Sequence, residues 1–158
     1  MSDGPVIERV VPARAEAVWD LWTTADGIES WWAPDGFRVT VRALDLRPGG
    51  ELVYDMTAVG CEQVAFMQSA GLPLTTTSRK TFTQLARPDR LAYDTLIDFV
   101  PGVEPYLAAT TVELMEEADG LRITMRMAPL HDEEWTQRLA AGRRNELENL
   151  ARLLERRA

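Results

Sequence analysis

The sequence predicts an α+β domain. A curved antiparallel sheet of six to seven strands wraps one long C-terminal helix, and two short helices follow the first strand. Three observations point there. Residues 132–157 carry an apolar stripe at helical spacing. Residues 37–127 break into segments of alternating polarity separated by turns. Between them and the first strand, residues 12–34 show helical periodicity in two short pieces. Helices segregated from a run of antiparallel strands define the class.

The elements follow in order. Residues 5–11 (PVIERVV) form a short strand with Pro5 at its first position, where a missing N–H does least harm. The first helix opens after Pro12 and presents Val18, Trp19, Leu21 and Trp22 on one face. Asp26 is the expected N-cap of a second short helix, GIESWW. Pro34 ends that helix and Asp35-Gly36 turns the chain. Trp31 and Trp32 sit at this corner. Adjacent helical side chains diverge by about 100°, so one is expected as a core anchor and the other at a rim.

Phe37, Val39 and Val41 alternate with Arg38, Thr40 and Arg42, and the phase slips near Ala43-Leu44, which suggests a bulge. A turn at 47–50 (RPGG) leads to 51–56, with Leu52, Tyr54 and Met56 on one face. Strands are expected at 79–85, 91–99, 109–116 and 121–127, joined in part by short turns at 88–90 and 118–120. On the 91–99 strand Tyr93, Thr95 and Ile97 share one face, opposite Asp94 and Asp98. Asp132 is the expected N-cap of the last helix, with Glu133 and Glu134 favourable to its dipole. At 1.5 Å per residue that helix spans about 39 Å. Its inward stripe is Trp135, Leu139, Gly142/Arg143, Glu146, Leu147, Leu150 and Leu154.

Composition narrows the function. The 158 residues are expected to form one domain, 1–158. A net charge of −8 argues against nucleic acid and against anionic membrane surfaces. The single cysteine, Cys61, excludes an intramolecular disulfide. The start MSDGPVIERV lacks the pattern of a secretory signal, and no uncharged apolar run approaches about 18 residues. A cytoplasmic protein is the expectation. There are 16 arginines and one lysine, Lys80, and the excess of arginine reads as a genomic composition bias without mechanistic weight.

The stretches VIERVVPARAEAVWDLWT, WWAPDGFRVTVRALDLRPGGEL, RPDRLAY and HDEEWTQRLAAGRRNELENLARLL span nearly the whole chain. In them the sequence resembles the START-like (birch-pollen-allergen-like, SRPBCC) superfamily of helix-grip proteins. Within it the chain is most similar to bacterial proteins related to the activator of heat-shock-protein-90 ATPase. The resemblance implies the fold. For function it implies a choice among ligand carriers, partner-binding domains and cyclase or aromatase enzymes. Residues 57–77 are longer than an ordinary hairpin connection. A short helix over 60–72, carrying Val64, Phe66 and Met67, is expected there as a lid over one mouth of a pocket.

Strand parity and the helix stripe give the candidate ligand-binding set: Tyr54, Met56, Tyr93, Met125, Met127, Trp135 and Leu139, with Phe66 from the inserted helix. Pockets for small molecules are mostly apolar with few polar groups, as this set is. The first expectation is non-catalytic binding of a small apolar or aromatic molecule between sheet and long helix. The second is a partner-binding domain acting on a chaperone ATPase, and the third a cyclase- or aromatase-type enzyme. For the third only His131, Asp94, Asp98, Glu104 and Glu146 offer acid or base groups, and none lies in a recognisable motif. No catalytic residue, metal ligand or cofactor is assigned. His131 is expected as a residue preceding the helix cap, and Cys61 as a small buried apolar group. Arg143 is expected at a solvated rim, pairing locally with Glu146. Gly142 either lets a neighbour approach the helix backbone or leaves room for a ligand. Residues 99–106, Pro- and Gly-rich, form a rigid connection that can also serve as a rim loop with Glu104 and Tyr106.

Overall fold

The computed structural model describes residues 4–158. Seven strands form one antiparallel sheet: β1 (Val6–Val11), β2 (Phe37–Leu44), β3 (Glu51–Ala58), β4 (Thr75–Ala86), β5 (Arg90–Ile97), β6 (Tyr106–Glu117) and β7 (Gly120–Met127). Their order across the sheet is β1-β7-β6-β5-β4-β3-β2. Four helices accompany it: α1 (Ala15–Thr23), α2 (Ala25–Trp31), α3 (Cys61–Ser69) and α4 (Glu133–Arg157). The sheet grips α4, and this is the helix-grip architecture. No helix is long and apolar enough to cross a membrane among the described residues.

The sheet's inner face is built by period-two burial. On β5 Leu91, Tyr93, Thr95 and Ile97 are buried, and every second residue is less so. The register slips between Val41 and Ala43, where the alternation of β2 breaks. β4 begins at Thr75, earlier than expected, because β3 continues to pair with it as far as Thr57↔Thr75.

The helix termini show which groups serve the free backbone donors. Asp132 caps α4, its carboxylate accepting from the Trp135 N–H at 2.8 Å. For α2 the cap is Thr24, not Asp26: the Thr24 hydroxyl accepts from Gly27 N–H at 3.1 Å. Asp26 falls inside the first turn instead. α1 has no side-chain cap of its own. The Glu116 carboxylate reaches from β6 to accept the Ala15 N–H at 3.0 Å.

Both corner tryptophans are buried, so neither is a rim residue. Trp31 packs against Trp22 at 4.8 Å between ring centroids and donates to the Leu21 carbonyl at 2.8 Å. Trp32 turns the other way, and its Nε1 donates to the Tyr54 hydroxyl at 3.2 Å. Asn149 of α4 donates to the Ala33 carbonyl at 3.0 Å and ties the corner to the long helix.

Helix α3 departs from expectation in position. None of its residues is buried. Backbone bonds from Val59 and Gly60 to the Gly36 carbonyl hold its start against the beginning of β2. Phe66 is 65% exposed, and Cys61, on the first turn, is exposed as well. An amphipathic lid requires an apolar underside with something to cover, and here Val64 and Met67 are only half-buried.

Candidate functional site

α4 crosses the concave face unevenly. It approaches β1 closely, and Arg9 of β1 pairs with Glu148 at 3.0 Å. On the side of β3, β4 and β5 a hollow of about 240 Å³ remains between helix and sheet. Tyr54 and Met56 line it from β3, Thr77, Ser78 and Lys80 from β4, and Thr95, Leu96 and Ile97 from β5. Asp98, Phe99 and Leu130 contribute from the adjoining loops. From α4 come Trp135, Arg138, Leu139, Gly142, Arg143 and Glu146. Exposed residues Thr77, Asp98, Phe99 and Arg138 mark the outer end. Tyr54, Lys80, Arg143 and Glu146, all buried, mark the inner end.

The walls are apolar and aromatic. Phe99 meets Trp135 at 5.8 Å between centroids, and the Arg138 guanidinium lies 4.7 Å over the Trp135 ring. A Cβ built on Gly142 meets no atom within 4 Å. Gly142 therefore does not serve a close approach of backbone; it is an exposed residue on the lining of the hollow, where a side chain would meet open space.

The inner end is charged. Lys80 stands between Leu52 and Thr95 in the strand register and is 1% exposed. Its Nζ donates to Thr95 Oγ1 at 3.1 Å. Three rings surround that ammonium: Tyr93 at 5.3 Å, Tyr54 at 5.6 Å and Trp32 at 5.8 Å. Arg143 donates to Glu146 at 2.6 Å, with the two residues 9% and 7% exposed. Arg143 Nε is buried with no hydrogen-bond partner among the described residues. The same holds for the Tyr93 hydroxyl.

Burial sets the titration of this group. It lowers the Lys80 pKa to about 7, with the Arg143 cation pushing the same way and Glu146 opposing. Burial also raises the Glu146 carboxyl, against the pull of Arg143 and Lys80. For Arg143 burial is the largest influence and opposes the charge, but Glu146, Tyr93 and Tyr54 together outweigh it, and the guanidinium stays ionised. Both phenols, Tyr54 and Tyr93, are raised by burial and stay neutral.

Of the residues that strand parity and the helix stripe single out, the structure brings Tyr54, Met56, Trp135 and Leu139 together around the hollow. Tyr93 lies behind them, its ring against Lys80. Met125 and Met127 belong to the packed core on β7 and do not line the hollow. Phe66 lies beside Phe37, Gln63 and Met67 on a separate shallow surface of α3. The residues 60–72 contribute nothing to the hollow, so α3 is not its lid.

Two polar residues are corrected. Arg143 is internal rather than at a solvated rim. Lys80, given no weight as the single lysine beside 16 arginines, lies at the centre of the inner end. The signal for Lys80 was available: it lies two residues before Phe82 on β4, and residues two apart share a face.

His131 lies outside the hollow. Its Nδ1 and the Tyr106 hydroxyl are 2.7 Å apart, which joins the 99–106 loop to the start of α4. Of the other acid groups, Asp98 and Glu146 line the hollow, whereas Asp94 and Glu104 do not. Among the described residues no three His, Cys, Asp or Glu side chains converge as metal ligands would.

Comparison with solved structures gives the same architecture. Protein CV1439 from Chromobacterium violaceum is similar over 96% of both chains, with a TM-score of 0.72 at 22% identity. A protein from Arthrobacter aurescens is similar with a TM-score of 0.73 at 24% identity, covering 96% of this chain and 85% of that one. The AHSA1-like protein from Aeromonas hydrophila is similar with a TM-score of 0.68 at 24% identity, covering 96% and 91%. No curated protein matches the chain. The family model described as Activator of Hsp90 ATPase homolog 1-like protein matches residues 12–155, nearly the whole length, and the chain belongs to that family.

Proposed function

We propose that this protein binds a small apolar or aromatic molecule in the hollow between β3–β5 and α4. The observation that carries the reading is the unfilled volume of about 240 Å³ at Gly142, walled by Trp135, Leu139, Met56 and Phe99. A dry apolar cavity of about 150 Å³ is enough to bind benzene. A mid-helix glycine is about 1 kcal/mol worse than alanine, and here no neighbouring atom requires it. Room for a ligand gives that glycine a use.

Gly142→Leu tests the reading. Leucine restores helix propensity and fills the space, so the variant is expected to melt at or above the wild-type temperature. A thermal-shift screen with apolar and aromatic small molecules should stabilise the wild type, by about 2.7 kcal/mol at 100 times the dissociation constant. The same compounds should leave Gly142→Leu unshifted. Equal shifts in both proteins would place the ligand elsewhere and sink the proposal.

The family description also supports a partner-binding role toward a chaperone ATPase. Val6, Val10, Leu107 and Met115 are its exposed apolar candidates on the strands. Met115 and Val10 are separated in the register by Arg122, which is paired with Glu117 at 2.8 Å. A contact surface of this kind is normally a contiguous apolar patch; the strands do not offer one, and Phe66 with Phe37 and Met67 beside it is the exposed apolar group that would serve. ATPase measurements on a cognate chaperone, with and without this protein, distinguish the two.

A further inference from the structure

The inner end of the hollow holds more positive than negative charge. Below about pH 7 Lys80 and Arg143 supply two cations there, and Glu146 is the carboxylate at the inner end that faces them; Asp98 and Arg138 stand at the outer end with opposite charges. The remaining ionisable neighbours are Tyr54 from β3 and Tyr93 from β5, both neutral phenols held so by burial. Trp32 adds a ring and no charge. Glu146 satisfies one Arg143 nitrogen, while Arg143 Nε remains a buried donor without a partner among the described residues. Lys80 has three N–H donors and spends one on Thr95. Donors that are buried, charged and unspent are costly unless an acceptor meets them.

Resting on the cavity reading above, we propose that the ligand is a monoanion. It is a compact aromatic or apolar body bearing a single carboxylate, with the acid group directed to Arg143 and Lys80 and the apolar body toward Trp135, Leu139 and Phe99. One negative charge balances the set, and its oxygens accept from the donors that Glu146 and Thr95 leave over. Below about pH 7, where Lys80 is protonated, a neutral ligand leaves the excess charge in place. A dianion such as a phosphate monoester overshoots it. The lowered pKa of Lys80 fits the same account: without an anion, burial and Arg143 drive the proton off. An arriving carboxylate draws it back, so binding takes up a proton above neutral pH.

The test is isothermal titration of the full chain at pH 6 with benzoate, phenylacetate and 1-naphthylacetate, each beside its neutral amide. At least one acid is expected to bind about tenfold tighter than its amide, since charge-assisted hydrogen bonds are roughly twice as strong as neutral ones. Lys80→Met, checked for folding by circular dichroism, should bring that acid and its amide to equal affinity. In the wild type, acid affinity should fall as pH rises above about 7, while amide affinity stays level; this arm needs no variant. Amides that bind as tightly as their acids would overturn the anion assignment and leave the cavity reading standing. No binding of acid or amide at millimolar concentration would overturn both. A pH dependence that persists in Lys80→Met and disappears in Glu146→Gln would assign the titration to Glu146 and overturn the role given to Lys80.

Discussion

Arg79 and Lys80 are neighbours on β4 and live in different solvents. Arg79 points out and meets Glu51 at 2.6 Å, both side chains about half exposed. Lys80 points in, under three aromatic rings. The contrast extends across the sheet. On the outer face Glu113 is bracketed by Arg90 at 2.9 Å and Arg126 at 3.0 Å, and Arg122 by Glu117 at 2.8 Å and Glu8 at 3.6 Å. Each of these ions keeps much of its hydration, so each pair contributes little, roughly 0–1 kcal/mol. Inside, Arg143 and Glu146 are nearly buried, and the loss of either partner leaves the other to bear most of its desolvation penalty unpaired. The same residue types therefore do different work: outside they solubilise and separate apolar side chains, and inside they hold a polar end in an otherwise apolar hollow.

The largest effect should come from breaking the inner pair. Glu146→Ala leaves Arg143 buried and unpaired, and a loss of about 3–5 kcal/mol in urea denaturation is expected. Replacing both partners, as Arg143→Met with Glu146→Leu, should recover much of that loss, because neither member of the pair is then left buried and unpaired, and only Lys80 keeps its own cost of burial. A double variant no more stable than Glu146→Ala would show that packing, not charge, dominates the inner end.

A smaller and pH-dependent effect should follow at Lys80. Its folded pKa, about 7, lies below the unfolded value of 10.5. Between those values the unfolded chain binds more protons, so stability gains a positive slope with pH. Below pH 7 the cost of burying the ammonium is present in full; it is relieved as pH rises toward 10.5. The stability advantage of Lys80→Met over the wild type should therefore be greatest below neutral pH and shrink toward pH 10, by a few kcal/mol across the window. A constant difference between the two proteins would remove the buried-ammonium account.

The outer face should give the smallest responses. Arg126→Ala and Arg79→Ala are each expected to change stability by less than about 1 kcal/mol, and the change should fade at high salt. Asp55, on the same face but only 8% exposed, tests the sign there. Its carboxyl is held low by the Thr77 hydroxyl, at 2.8 Å, and by Arg42. Its contribution should be present above the ordinary carboxylate range and lost as pH falls through the lowered value. An outer-face variant as damaging as Glu146→Ala would erase the distinction between the two faces.

Much of the architecture was legible in the residues. Alternation on β3 and β5 put Tyr54, Met56 and Tyr93 on the inner face, and Asp132 announced the start of α4. The position of α2's cap was less legible, because Thr24 and Asp26 are both competent caps and only the backbone entry angle chooses between them. The site was half legible. Met125 and Met127 obey the same parity as Tyr54, but β7 lies on the side where α4 packs down, so the same inward direction leads to core. Phe66 carried an apolar signal that the fold leaves in solvent. Lys80 was inward by parity with Phe82, and the low expectation of a buried lysine hid it.

The sequence by itself determined the periods, the turns and the order of elements, since these depend on local sterics and on which residues prefer water. The tertiary structure decided where α4 lies across the sheet, and that is a matter of summed packing over distant segments. The helix's displacement toward β1 turns a row of inward residues into core at one side and a hollow at the other. It also decides that Lys80, Arg143 and Glu146, which are remote or merely near in the chain, share one buried space and one charge balance.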